Sequence, residues 1–185
     1  MKKVSMSGPA LFMNSVIGFC ALTAGICLGL YYAGICMHSA VLWTGITTFT
    51  ILFHFGGRIL MGNVTKGWKI SYRNRWFREL PFENKLYRIL RVKAWKGKVL
   101  TYDPKAFDMQ SQTLEEIATT MAKSETDHWV NEGISLISMT FGLIWGYSWL
   151  FILTALFAMA FDAQFIIIQR YNRPRILRLI QRRKS

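Results

Sequence analysis

The sequence predicts an all-α integral membrane protein: four transmembrane helices in two hairpins, joined by a basic, partly helical cytoplasmic segment at the membrane interface. Three observations predict it. Apolar residues make up 52% of the 185-residue chain, and the mean hydropathy is positive. Four apolar runs of about 20 residues are each long enough to cross a bilayer. The cations, finally, are partitioned along the chain. Of 23 Lys and Arg, two precede the first run, fourteen lie between Arg58 and Lys123, and seven between Arg170 and Lys184. None falls in the two short links assigned to the outside. This is the positive-inside pattern, and it predicts a multi-pass cell-membrane protein with both termini and the middle segment cytoplasmic. It also accounts for the net charge of +13 without a nucleic-acid partner. The length leaves room for one membrane domain and no large soluble one.

The first span is residues 10–32, an apolar run too long for the core of a signal peptide and therefore read as retained. Its Gly25-x-x-x-Gly29 would let a neighbouring helix approach closely. Cys20, Cys27 and Cys36 have no metal-ligand spacing and imply no disulfide framework; small apolar roles suit them. A turn near Gly34 leads to the second span, residues 37–57, with His38 and Trp43 at its outer interface. His54 and Arg58 are four apart and share a face. That pair could hold an anionic headgroup or thioester donor, or His54 could be a packing histidine.

In the segment 58–127, aromatic rings alternate with cations, as suits the headgroup layer. A helix is expected from Pro81, with Phe82, Leu86, Ile89 and Leu90 on one apolar face. After the Val92-Lys-Ala-Trp-Lys-Gly-Lys98 run, Thr101-Tyr-Asp-Pro104 reads as a turn. Thr113 and Glu116 fit a capping box that opens a helix running into the third span, residues 129–147. On that helix Met121, Glu125, His128 and Glu132 share a stripe. Gly142, Gly146 and Ser148 mark a tight outer turn before the fourth span, residues 149–169. Pro174 is expected to end or kink that helix, leaving a basic cytoplasmic tail over residues 170–185.

Asp162 lies within the fourth span, where a carboxylate costs roughly 2.5 to 3.5 kcal/mol unless it faces protein or water. His54, Glu132 and Asp162 fall at similar depths on three spans, which predicts a shared cavity open to the cytoplasm. Gln169, Arg170, Tyr171, Asn172 and Arg173 crowd donors and acceptors just below. The chain has no Gly-x-Ser-x-Gly, Walker loop, dinucleotide fingerprint or His-Glu-x-x-His. His-x4-Asp is absent as well, because Gly133 stands five residues after His128. What remains is Glu125-x-x-His128: a base that could take a proton from a hydroxyl nucleophile, with a carboxylate to orient it. The candidate catalytic residues are therefore His128, Glu125, Asp162 and His54. The candidate substrate-binding residues are Arg58, Trp95, Lys96, Gln169, Arg170, Tyr171, Asn172 and Arg173. No metal or cofactor is expected.

The run Phe165-Ile-Ile-Ile-Gln-Arg-Tyr-Asn-Arg-Pro-Arg175, with Glu125-x-x-His128-Trp129 and Arg91-Val-Lys-Ala-Trp-Lys96, resembles the glycosyl-4,4'-diaponeurosporenoate acyltransferase family. The resemblance covers about residues 85–183. It implies transfer of a fatty acyl group to the glucose 6-hydroxyl of a carotenoid glycoside, the last step of staphyloxanthin formation. The partners implied are an activated acyl donor (acyl-CoA or acyl carrier protein), a lipid-glycoside acceptor and membrane lipid. Two rival readings stand beside it. One is a non-catalytic membrane protein that binds anionic lipid or a partner enzyme through its basic face. The other is a metal-dependent enzyme using His54, Glu125, His128 and Asp162, whose scatter along the chain argues against it.

Overall fold

Two long apolar stretches joined by a short turn without charged residues fold back on each other, and this sets the first half of the architecture. In the computed structural model, which describes residues 8–99 and 104–183, α1 is Gly8–Tyr32 and α2 is Ser39–Thr65. Gly34 has φ +73°, the left-handed conformation that lets the chain reverse without a Cβ clash. The His38 side chain caps α2 by accepting from the Ala40 amide at 3.3 Å. α1 packs on α2 through Cys20 and Ala24, both buried, and Leu28. A Cβ at Gly45 would lie 2.8 Å from Leu28, so Gly45 is the position that allows the close approach. The expected Gly25-x-x-x-Gly29 contact is not made: both glycines face open space, about 100° round the helix from the Ala24 stripe.

The second half pairs α5, Leu114–Ser138, with α7, Ser148–Arg182. They run antiparallel: His128 meets Asp162, Glu125 meets Arg170 and Arg173, and Ala118 clusters with Ile180. Thr113 and Glu116 form the predicted capping box, which holds the Glu116 carboxyl below its usual range through hydrogen bonds from Thr113. α2 packs against α5 and so joins the two pairs. Between them lie the short helices α3, Glu83–Ile89, and α4, Val92–Trp95, with 3₁₀ turns at Arg75–Phe77, Lys96–Lys98 and Pro104–Phe107. The turn expected at Thr101 lies outside the described residues as far as Asp103.

Among the described residues, three helices are long and apolar enough to cross a membrane: α1, α2 and α7. The predicted third span is not one of them. α5 stops at Ser138, and a separate turn of helix, α6 (Phe141–Trp145), follows. Its polar stripe is the physical reason, because Asn131, Glu132, Ser135 and Ser138 are buried there and lower its apolar character. Two further expectations are corrected. α2 continues past Gly57 to Thr65, so Arg58 lies inside the helix rather than at its end. Likewise α7 runs through Pro174 to Arg182, so the stretch expected to be a tail is the last part of α7.

Two apolar clusters bracket the α5–α7 pair. Ile46, Phe141 and Phe151, with Phe49, Phe53 and Trp145 around them, tie α2, α6 and α7 at one end. Leu114, Ala118 and Ile180, with Tyr72, Ile176 and Leu177, close the other. The polar groups are stacked between. Where α6 meets the start of α7, a Cβ on Gly142 would lie 2.6 Å from the Ser148 Cα. Gly142→Ala is therefore expected to cost about 1–3 kcal/mol through forced backbone movement. A clear drop in Tm of the detergent-solubilised protein checks this; an unchanged Tm would contradict the close approach.

Candidate active site

Asp162 sits about 21 Å along α7 from Ser148, 14 residues at 1.5 Å each, and is 0% exposed. A carboxylate so buried needs partners, and three elements supply them. From α2, Arg58 forms an ion pair with Oδ2. From α5, His128 Nδ1 meets Oδ1 at 2.7 Å, and Asn131 Nδ2 donates to the same oxygen at 3.3 Å. Arg58 also donates to the His54 carbonyl at 2.8 Å, which the longer α2 makes possible. Asp162 can only accept, so it fixes the His128 proton on Nδ1 and leaves the Nε2 lone pair free. The ring is held flat as well: it stacks on Phe165 at 4.5 Å with 4° between planes. Nε2 makes no hydrogen bond among the described residues, and the side chain keeps 20% exposure.

A second layer lies two turns further along α7. Glu125, 0% exposed, accepts from Arg170 at 2.7 Å and from Arg173 at 2.5 Å. Arg170 also pairs with Glu83 of α3. The 3₁₀ turn Arg75–Phe77, capped by the Asn74 side chain, leaves backbone carbonyls without helical partners. The two arginines collect them: Arg170 bonds the carbonyls of Trp76 and Arg78, and Arg173 that of Phe77 at 2.9 Å. Tyr87 donates to Glu83 at 2.9 Å, and burial together with that carboxylate pushes its phenol well above the usual range. This layer clamps the segment between α2 and α5 to the α5–α7 pair. Gln169, expected to bind substrate, donates to Ser124 at 3.2 Å within it.

The third layer is Lys96, Tyr171 and Asn172, with Lys96 donating to Asn172 at 2.7 Å. Trp95 closes its own turn by donating to the Leu90 carbonyl at 2.8 Å.

Against the sequence expectations, the geometry rearranges the partners. Glu125 does not orient His128; its carboxylate is taken by Arg170 and Arg173, while Asp162 holds the ring. The spacing Glu-x-x-His puts Glu125 one turn away, but Arg173 draws it toward the turn at Phe77. Arg58, Arg170 and Arg173, expected to bind substrate, are already neutralised by buried carboxylates. The shared cavity of His54, Glu132 and Asp162 is not open. His54 and Glu132 are buried within electrostatic range of Asp162 and Arg58, and both His54 ring nitrogens lack partners. An open groove of about 400 Å³ lies instead on the other flank of α5, where Ser71, Asn74, Trp76, Phe77, Thr126 and Trp129 line it. The apolar face expected on α3 points outward, with Phe82 and Ile89 exposed; Glu83 and Tyr87 are what it buries.

Sequence reasoning missed Asn131, Phe165 and Glu83. The last had a visible signal: Glu79 and Glu83 are the only acids between Arg58 and Leu100, so a basic neighbour was to be expected. Nothing in the spacing pointed to Phe165.

Residues 73–182, more than half of the chain and inclusive of all three layers apart from Arg58 and His54, match the glycosyl-4,4'-diaponeurosporenoate acyltransferase family. The chain belongs to that family. Membership makes acyl transfer its class of chemistry, with an acyl donor and a glycolipid acceptor in general terms. No curated protein and no solved structure matches the chain. The family match begins at Arg73, so it takes in the carbonyl-presenting turn and α3, which pair with Arg170 and Arg173, and leaves out α1 and α2.

Proposed function

We propose that this protein is an integral-membrane O-acyltransferase that moves a fatty acyl group from an activated donor to a hydroxyl of a lipid-linked sugar. The glucose of a carotenoid glycoside, as in staphyloxanthin formation, is the acceptor that the family description favours. The observation that carries this reading is the His128–Asp162 contact at 2.7 Å, beside a free Nε2 and above a ring stacked on Phe165. Nε2 takes the proton as the acceptor oxygen attacks the acyl carbonyl, and returns it to the departing thiolate. Asp162 holds the ring in the competent tautomer and offsets the imidazolium that forms. Asn131 and Arg58 position Asp162. Glu125, Arg170 and Arg173 brace the interfacial segment, and His54 lies behind the network.

In the same reading α5 and α6 together cross the bilayer as a fourth, polar-faced span, so the helices form two hairpins with both termini in the cytoplasm of the cell membrane. The cation partition supports it. Single cysteines at Ser111 and Ser148 of a variant lacking Cys20, Cys27 and Cys36 test it. Ser148 should react with an impermeant thiol reagent in intact cells and Ser111 should not. Labelling of Ser111 from outside would overturn the topology.

The function itself is tested by mass spectrometry of lipid extracts from cells with and without the gene. Loss of an acylated glycolipid is expected. An unchanged lipid profile would favour a non-catalytic protein that binds lipid or a partner enzyme.

A further inference from the structure

The arginines nearest His128 are spent on carboxylates, which raises the question of what holds the charged end of the donor. Beside α7, the half-buried Lys96 and the more exposed Lys93 and Arg175 stand together with no acid in ion-pair contact. Lys93 and Lys96 of the α4 region and Arg175 of α7 form no ion pair among the described residues. Two of them converge on one ring: Lys96 Nζ lies 4.8 Å and Arg175 Cζ 3.6 Å from the centre of Tyr171. Tyr87 packs edge-on against that ring at 5.3 Å. Burial, then Arg175 and Lys93, hold the Lys96 ammonium below its usual range, the mark of cations crowded without counter-charge.

The arrangement is built, not a loose surface run. Arg91 has φ +49°, a left-handed conformation unfavourable for a residue with a Cβ. It turns the chain sharply out of α3 so that α4 folds back on α7. Val92, 0% exposed, anchors the knuckle, Trp95 ties it to Leu90, and Lys96 is tied to Asn172. Strain of this sort persists where surrounding contacts over-determine it, and it recurs at ligand sites.

We propose that Lys96 and Arg175, held over Tyr171, together with the neighbouring Lys93, bind the phosphate groups of a soluble coenzyme-thioester acyl donor. The inference rests on the acyl-transfer reading above and names its donor. Distance selects this source over a membrane phospholipid. Asn172 and Phe165 are seven residues apart on one face of α7, and Asn172 is roughly 15 Å along the helix from Asp162. A pantetheine arm spans that length, so phosphates held at Tyr171 deliver the thioester to His128. In a phospholipid the acyl esters lie only a few bonds from the phosphate and would stop well short.

The test is titration of coenzyme A into the full-length protein in nanodiscs of neutral phosphatidylcholine. The triple variant Lys93→Gln, Lys96→Gln, Arg175→Gln should bind at least about tenfold more weakly, because charge-assisted contacts to phosphate are lost. A control pair on the outward face, Lys85→Gln with Arg88→Gln, should bind as wild type. His128→Ala should also keep binding, so failure of this site and failure of the acyl-transfer reading give different results. Equal coenzyme A affinity in wild type and triple variant would overturn the proposal. So would cluster-dependent binding of phosphatidylglycerol vesicles without any of coenzyme A. Equal melting temperatures of wild type and triple variant exclude misfolding as the cause of a loss, and the single variant Lys96→Gln, expected to weaken binding by a smaller factor, applies the same test where the triple variant does not fold.

Discussion

His128→Ala is expected to lower acyl transfer by about two to four orders of magnitude, the range for losing general acid–base assistance, while the protein stays folded and inserted. The ring is partly exposed and its loss removes one stacking contact with Phe165, so the stability cost should be modest. Asp162→Asn sharpens the test. An asparagine keeps volume and can still bond Arg58 through its carbonyl, but its amide can donate to Nδ1 and so favour the tautomer protonated on Nε2. An analogous change in a hydrolase triad costs about 10⁴ in turnover. Asp162→Asn should therefore fold better than Asp162→Leu and yet lose most of its activity. Specific activity per mole of purified, monodisperse protein separates this from simple loss of fold. Near-normal turnover in His128→Ala would remove the base assignment.

Glu125→Gln should be the most destabilising of the conservative substitutions. Glu125 and Arg173 are 0% and 1% exposed, and Arg170 shares the same carboxylate. Removing the charge leaves Arg173 buried without its counter-ion, and breaking a buried pair in this way costs about 3–5 kcal/mol. Arg173 keeps the Phe77 carbonyl and its place over the Phe77 ring at 4.9 Å, so part of the clamp survives. Glu125→Gln combined with Arg173→Met should recover much of the loss, because no unpaired charge remains. A thermal-unfolding double-mutant cycle reads the coupling directly. Additive losses in the double variant would show that the pair is not coupled as the geometry requires.

Helix identity and the capping box were legible in the sequence because both depend on local pattern: long apolar runs, and Thr113 three residues before Glu116. That His54, Glu132 and Asp162 lie near one another was legible too: all three are buried, and His54 and Glu132 are within electrostatic range of Asp162. Partner choice was not. Glu125 is one turn from His128 in sequence, whereas Asp162 reaches it from 34 residues away. Which carboxylate wins depends on how α5 and α7 rotate against each other, and on Arg173 competing for Glu125. Boundaries failed where a polar residue sat inside a helix. Arg58 looked like a terminus because a charge usually ends a span, but Asp162 neutralises it there. Pro174 looked like a stop, yet it lies where α7 has left the apolar stretch and Arg173 and Arg175 on either side are held by other contacts. The outward apolar face of α3 misled for a related reason: in a membrane protein the apolar side of a helix need not be the buried one.

The most direct test is acyl transfer by the purified protein in neutral nanodiscs, supplied with a long-chain acyl-coenzyme A and a glycosylated diaponeurosporenoate. The account predicts an ester product heavier than the acceptor by the acyl group, formed by wild type and all but lost in His128→Ala at equal folded protein. No product above the protein-free control, or equal product from His128→Ala, would contradict it.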